Sequence, residues 1–133
     1  MSDTATPWST PGATPQDIED AAAILRGVVH ETELSSSARL CEHTGVEVLL
    51  KREDQQRCRS FKVRGAFARM SALSPVERER GVVCASAGNH AQGVAYACQT
   101  LGVHGTIYLP SNTPRQKRNR IAVIGGDWGE QGI

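Results

Sequence analysis

The sequence of 133 residues predicts an α/β fold in which a parallel sheet carries flanking helices. Apolar runs of strand length fall at residues 46–50, 81–85 and 105–109. Segments long enough for helices separate these runs. The composition, 39% hydrophobic and 22% charged with a net charge of +1, is that of a globular protein and excludes disorder of the whole chain.

The amino-terminal part of the chain predicts a tail followed by a helix. Residues 1–14 lack the basic start and the apolar stretch of a secretion signal, and we predict that they form a disordered tail. A helix is predicted over residues 15–29, with Thr14 as its cap. Its apolar residues, which include Ile18 and Leu25, recur at steps of three and four and predict one buried face.

The rest of the chain alternates strands and helices. A serine-rich connection at 33–39 leads to the strand at 46–50, and a polar loop at 51–60 follows. We then predict a helix capped by Ser60 over 61–73, a short helix from Ser74 and the strand at 81–85. A helix of small residues that ends at Gly102, the strand at 105–109 and a basic helix over 113–123 complete the order. This alternation is typical of βαβ units, whose strands lie parallel.

The four cysteines indicate neither a disulfide framework nor a metal site. Cys41, Cys58, Cys84 and Cys98 are widely spaced and form no CxxC pair, so we expect reduced thiols in a cytoplasmic protein. Cys84 and Cys98 fall in apolar segments and are predicted core residues. Cys41 and His43 lack a second pair of ligands, and no metal site is predicted.

Two classes of partner are not expected from the composition. No apolar run approaches the ~18 residues that suggest a membrane span. The basic residues of the predicted helix at 113–123 accompany a net charge of only +1 and no interleaved aromatic residues. We interpret them as a solvated helix face, and we predict neither a membrane nor a nucleic-acid partner.

Lys62 lies in the first turn of the predicted helix at 61–73, after a polar loop. The positive end of that helix, together with Arg59 and Arg64, favours the neutral amine that Schiff-base formation needs. Lysine is also scarce, since only three of the 15 basic residues are lysines. The alternative is an ordinary solvated surface lysine, and the hexamer Ser60–Gly65 taken alone leaves both interpretations open.

The segment Ser86–Ala91, with sequence SAGNHA, follows the predicted strand at 81–85 and opens a helix. Ligands bind parallel sheets at the carboxyl ends of their strands, and free N–H groups at a helix start suit a carboxylate. The alternative is a tight turn in which Gly88 and Asn89 serve only the backbone, and for this segment alone that alternative is favoured. Together with Lys62, however, the segment indicates a ligand site.

Five motifs carry a resemblance to a known family. KRED, SFKVRGAF, SAGNHAQGVAYA, LPSNTPRQKRNR and GGD resemble the threonine dehydratase (threonine ammonia-lyase) group of the fold type II pyridoxal-phosphate enzymes, over roughly residues 15–128. Cysteine synthases differ at the lysine and glycine motifs. Serine racemases are closer, but they usually have a serine, as a second acid/base, where this chain has Ala87, which favours elimination over racemisation.

The resemblance implies roles for individual residues. Lys62 would hold pyridoxal phosphate as a Schiff base and take the α-proton of the substrate. Phe61 would flank the cofactor ring, and Asn89 would hydrogen-bond its hydroxyl. The substrate carboxylate would be received by Ser86, Asn89 and the amides of His90 and Ala91.

The implied reaction converts L-threonine or L-serine to a 2-oxo acid and ammonia, 2-oxobutanoate from threonine, within isoleucine biosynthesis. A homo-oligomer is implied for the full-length enzyme. The alternatives are a serine racemase-like or catabolic serine/threonine dehydratase, or a non-catalytic truncated protein. The family's glycine-rich phosphate loop is expected beyond residue 133, and WGEQGI replaces an apolar strand after GGD. We therefore predict that residues 15–133 are a truncated amino-terminal part of a catalytic domain, inactive alone.

Overall fold

The computed structural model describes residues 12–125. In chain order the elements are α1 (Pro15–Leu25), β1 (Leu34–Ser36), α2 (Ala38–Thr44), β2 (Leu49–Lys51), a 3-10 turn (Glu53–Gln55), α3 (Lys62–Ser71), α4 (Pro75–Arg80), β3 (Val82–Ala85), α5 (Asn89–Leu101), β4 (Gly105–Tyr108) and α6 (Arg115–Gly125). Most of the predicted tail and the WGEQGI segment lie outside the described residues. Within them, no helix is long and apolar enough to cross a membrane.

A parallel pair, β3 and β4, confirms the predicted α/β architecture. Val82 lies opposite Gly105 and Ala85 lies opposite Tyr108, with α5 as the crossover between the strands. One face of the pair packs against the hydrophobic core, through residues that include Val82 and Cys84. The other face is open, since Val83 is 70% exposed.

The predictions for residues 33–50 are wrong in two respects. The serine-rich connection contains β1 and the start of α2, and the strand predicted at 46–50 is β2, which pairs antiparallel with β1. Within the described chain, β2 does not join the β3–β4 sheet. The physical reason is local: Gly45 ends α2 with a φ of 72°, and this left-handed residue turns the chain back toward β1.

The core lies between α3 and α5, with α1 beside α3. Its buried members are Leu25, Ala66, Phe67, Met70, Val94, Ala97, Cys98 and Val103. Cys98 is therefore a core residue as predicted, and the half-buried Cys84 packs against the same cluster. The apolar spacing of both helices places their buried residues on facing sides.

Three of the four predicted helix caps are correct. Thr14 and Asp17 form a capping box at the start of α1, Ser74 forms a second at α4, and Gly102 ends α5 with a φ of 64°. Ser60 is not the cap of α3, because Phe61 occupies that position; the Ser60 hydroxyl instead accepts from the Lys62 N–H at 3.4 Å.

The predicted first helix is too long and less buried than expected. α1 ends at Leu25, because Arg26 is extended and Gly27 has a φ of 76°. Val28 and Val29 still pack against the core from the following turn. Ile18 is 65% exposed, so the predicted apolar face is buried only near its carboxyl end.

Candidate active site

The loop between β3 and α5 presents the start of a helix. The Ser86 N–H donates to the carbonyl of Tyr108 at 3.1 Å, which extends the sheet ladder by one residue. The Ser86 hydroxyl accepts from the Gly88 N–H at 3.3 Å and closes the turn. Gly88 is the N-cap and carries no side chain to accept from the first turn of α5. The N–H groups at this helix start are therefore available to an anion.

The predicted residues of this loop differ in exposure. Ser86 is half-buried, whereas Asn89 and His90 are exposed. Ala91 is fully buried, and its methyl group belongs to a small cluster with Ala95 and Ile121. Because the whole residue is fully buried, its backbone N–H is not accessible from solvent in this structure, and the role of Ala91 stays a prediction.

A cleft of about 500 Å³ lies beside this loop, lined by residues 85–87 and 108–111. These residues form the carboxyl ends of β3 and β4 and the chain that follows them. The cleft thus occupies the position where parallel sheets bind ligands. Ser86 and Ala87 belong both to the loop and to the wall of the cleft.

Lys62 is the first residue of α3, and its side chain is exposed. Its Nζ lies 5.2 Å from the centre of the Phe61 ring, a cation–π contact. Phe61 and Lys62 are consecutive residues, and at the start of the helix the amine lies over the ring.

Gly93 brings α5 against the start of α3. A Cβ at this position would lie 3.0 Å from the Lys62 carbonyl oxygen and 3.2 Å from the Val63 nitrogen. The two helices can approach this closely only because residue 93 has no side chain. One residue earlier, the buried Cys58 thiol donates to the Gln92 carbonyl at 3.4 Å. The two predicted motifs thus lie side by side in the structure.

Arg64 does not act as the free positive charge that the sequence suggested. Its Nε and Nη2 donate to the two carboxylate oxygens of Glu53 at 2.9 and 2.7 Å. The Arg64 guanidinium is the main cause that holds the pKa of Glu53 below its usual value, with the Thr32 hydroxyl contributing further. Because Glu53 offsets its charge, Arg64 contributes less to the chemistry of Lys62 than we expected.

Sequence reasoning missed the residues that fix the loop before α3. Gln56 is buried, and its side-chain amide both accepts from the His30 N–H and donates to the His30 carbonyl, each at 2.9 Å. Arg59 has a φ of 50°, which is strained for a residue other than glycine. The polar composition of residues 51–60 predicted a simple loop. Gly93, a glycine inside a helix, carried a sequence signal for close packing, but Gly65 in α3 carries the same signal and has open space around it.

The model of the pyridoxal-phosphate dependent enzyme family matches residues 25–128. The chain belongs to this family. It is 53% identical over 112 residues to a biosynthetic L-threonine dehydratase of Corynebacterium glutamicum, covering 84% of this chain and 26% of the relative. A biosynthetic L-threonine dehydratase of Bacillus subtilis is 52% identical over 101 residues, or 76% of this chain and 24% of the relative. The chain thus spans about a quarter of the length of these relatives.

Solved structures support the same fold. Threonine deaminase isoform 2 of Solanum lycopersicum, in its processed form, matches with a TM-score of 0.74 and 39% identity, over 91% of this chain and 35% of that chain. Maize serine racemase matches with a TM-score of 0.80 and 33% identity, over 91% of this chain and 36% of that chain. Family and fold are therefore confirmed, and the roles of Lys62 and of the Ser86–Ala91 loop stay predictions.

Proposed function

We propose that this chain is the amino-terminal part of the catalytic domain of a pyridoxal-phosphate-dependent L-threonine dehydratase. The reaction is the deamination of L-threonine to 2-oxobutanoate and ammonia, and of L-serine to pyruvate, in isoleucine biosynthesis. The observation that carries the proposal is the close approach of Gly93 in α5 to the Lys62 peptide, which packs the start of α3, where Lys62 is exposed, against the helix that follows the Ser86–Ala91 loop. Identity above 50% to biosynthetic threonine dehydratases supports the choice of substrate.

The residues present fit this cofactor. An exposed amine at Lys62 and an aromatic ring at Phe61 supply a covalent partner and a stacking surface for the cofactor. The helix start without a side-chain cap supplies N–H donors for the substrate carboxylate. The cleft at residues 85–87 and 108–111, at about 500 Å³, has the size of a small-molecule site; of the predicted site residues only Ser86 lines it. When bound, pyridoxal phosphate supplies an aldehyde and an electron sink.

Each side chain then has a separate task. The Lys62 amine would hold the cofactor covalently and, once the amine of the substrate has displaced it, would take the α-proton of the substrate at Nζ. Phe61 would flank the cofactor ring, and the exposed Asn89 side chain would hydrogen-bond the ring hydroxyl. The substrate carboxylate is received by Ser86, Asn89 and the N–H groups of His90 and Ala91.

Serine racemisation is the second candidate, supported by the match to maize serine racemase. A racemase needs a second acid/base on the other face of the substrate. The wall of the cleft next to Ser86 offers Ala87, whose methyl group carries no proton to exchange. Elimination needs no such group, and dehydration remains the proposal.

For the full-length enzyme we propose a homo-oligomer that binds a small amino acid in the cytoplasm. The resemblance described above supports the oligomer. The wide spacing of the four cysteines, without a CxxC pair, supports a reducing compartment.

The lysine is tested by reduction and mapping. The chain is incubated with pyridoxal phosphate, reduced with borohydride, and digested so that mass spectrometry locates the labelled lysines. Lys51, Lys62 and Lys117 are all exposed, so exposure alone predicts similar labelling of the three. We expect Lys62 to carry most of the label, and Lys62→Arg to lose that share while Lys117→Arg keeps it. Equal labelling of the three lysines would refute the assignment.

The same experiment tests the substrate. L-threonine competes with a lysine for the cofactor, and free threonine in solution lowers labelling at every lysine equally. If the site also binds threonine, the ratio of label at Lys62 to label at Lys117 falls with L-threonine and not with D-threonine. Identical ratios with both enantiomers would contradict a threonine site.

A further inference from the structure

Two adjacent carboxylates in the 3-10 turn before α3 have different surroundings. The Glu53 side chain is 15% exposed, whereas that of Asp54 is 62% exposed. Asp54 pairs with Arg52, only two residues away, on the surface. Glu53 instead accepts from Arg64 of α3 through two hydrogen bonds of 2.9 and 2.7 Å, and from the Thr32 hydroxyl at 2.6 Å.

Glu53 thereby joins three separate parts of the chain. Thr32 precedes β1, Glu53 opens the 3-10 turn, and Arg64 lies in the first turn of α3, where its N–H donates to the Phe61 carbonyl at 3.0 Å. A bidentate pair between a guanidinium and a carboxylate fixes orientation as well as distance. The start of α3 therefore cannot rotate or shift along its axis without breaking this pair.

The same turn of α3 also contacts α5. Gly93 lies against the Lys62 carbonyl, so the first turn of α3 is held between the Glu53 carboxylate and the backbone of a buried helix. Lys62 sits between these two contacts and two residues before Arg64.

We propose that Glu53 is a positioning residue for Lys62: by holding Arg64 it fixes the direction in which the Lys62 side chain leaves α3. This inference rests on the proposed function of Lys62. It assigns to the KRED segment a task in the chemistry of the site, although Glu53 itself touches neither substrate nor cofactor.

The test measures the ratio of borohydride-trapped label at Lys62 to that at Lys117. Lys117 serves as the reference because it lies on α6, whereas the Lys51 amine donates to the Thr32 carbonyl and is itself part of this network. Glu53→Gln keeps one acceptor and turns the other oxygen into a donor that faces Arg64. Because a charge-assisted bidentate pair is lost, we expect the ratio to fall by roughly tenfold. Asp54→Asn removes the neighbouring surface pair and leaves the ratio unchanged.

Two further measurements separate positioning from loss of structure. The first uses a reagent that acylates exposed amines and needs no binding site, so it reports only how accessible an amine is. Applied to folded protein, it should modify Lys62 equally in the wild-type chain and in Glu53→Gln. The second uses Arg64→Lys, which keeps the positive charge but cannot donate two parallel hydrogen bonds to the Glu53 carboxylate. It should lower the ratio of trapped label at Lys62 to that at Lys117 by about threefold. If Glu53→Gln fails to fold, as judged by far-ultraviolet circular dichroism, Arg64→Lys decides the question alone.

The outcomes distinguish the two proposals. A wild-type chain without preference for Lys62 over Lys117 refutes the proposed function, and this inference with it. A preference that persists in folded Glu53→Gln, or in folded Arg64→Lys, overturns the role of Glu53 alone. A loss of preference in both variants, with acylation and Asp54→Asn unchanged, supports it.

Discussion

Residues 33–51 and residues 56–121 differ in how their secondary structure is stabilised. The first region contains β1, α2 and β2, yet none of its residues is buried. The second contains most of the buried residues, and every predicted site residue lies in it. Regular structure in the first region depends on local hydrogen bonds and on Gly45, whereas in the second it depends on packing between α3 and α5. The site is thus built on the part of the chain that has a core.

The largest expected contrast is in the free energy of unfolding. Phe67 is 5% exposed in the core, so Phe67→Ala should lower that free energy by about 3–5 kcal/mol. Leu49 is 48% exposed in β2, so Leu49→Ala should cost less than about 1 kcal/mol. Urea denaturation followed by circular dichroism measures both. An equal loss of free energy of unfolding in both variants would mean that Leu49 packs as tightly as Phe67, and the two regions would not differ.

The next contrast is in thiol reactivity. Cys41 lies within residues 33–51, where no residue is buried. The N–H of Val48, 3.1 Å from its sulfur, lowers the pKa of its thiol. Burial raises the pKa of Cys58 and of Cys98 to about 11. At pH 8 the thiolate fraction of Cys41 should exceed that of either buried thiol by more than roughly a hundredfold, because the pKa of Cys41 lies below its ordinary value and those of the buried thiols lie at about 11.

Iodoacetamide labelling with mass spectrometry measures this difference, and burial of the sulfurs should widen it. In urea the three cysteines should react at similar rates, which controls for sequence effects. If Cys58 or Cys98 were labelled as fast as Cys41 in the native chain, the core within residues 56–121 would be exposing its thiols by frequent local unfolding.

A smaller effect compares two glycines within the packed region. Gly93→Ala forces a methyl group against the Lys62 carbonyl and should cost about 1–2 kcal/mol. Gly65 lies in α3 with no atom within 4 Å of its potential Cβ, so Gly65→Ala should stabilise the chain by roughly 0.5–1 kcal/mol. Thermal unfolding of the two variants gives opposite shifts. A stable Gly93→Ala chain would mean that the two helices can separate without loss.

The helices and the parallel pair could be predicted because their signals are local. The side chains of Thr14 and Ser74 cap the starts of helices, and the left-handed conformation of Gly102 ends one. The strands β3 and β4 are apolar runs separated by a helix. β1 could not be predicted in this way. Its sequence, Leu34–Ser36, has the composition of a connection, and only pairing with β2 makes it a strand.

The same division holds for the candidate site. The positions of Lys62 and of the Ser86–Ala91 loop follow from helix and strand boundaries that the sequence predicts. Glu53 and Gln56 could not be recognised, because their partners Arg64 and His30 lie 11 and 26 residues away. Their importance depends on the fold as a whole and not on spacing within a motif.

The strained backbone of Arg59 has a consequence for the length of the loop before α3. Surface loops ordinarily accept insertions and deletions, because their ends are joined by a flexible chain. Here the ends are fixed at Gln56, which is bonded to His30, and at Lys62, which lies against α5. The positive φ of Arg59 is the conformation that joins these two points in the available number of residues. An insertion or deletion of one residue would turn the start of α3 and change the direction of the Lys62 side chain. This polar segment therefore has a fixed length, although it lies on the surface.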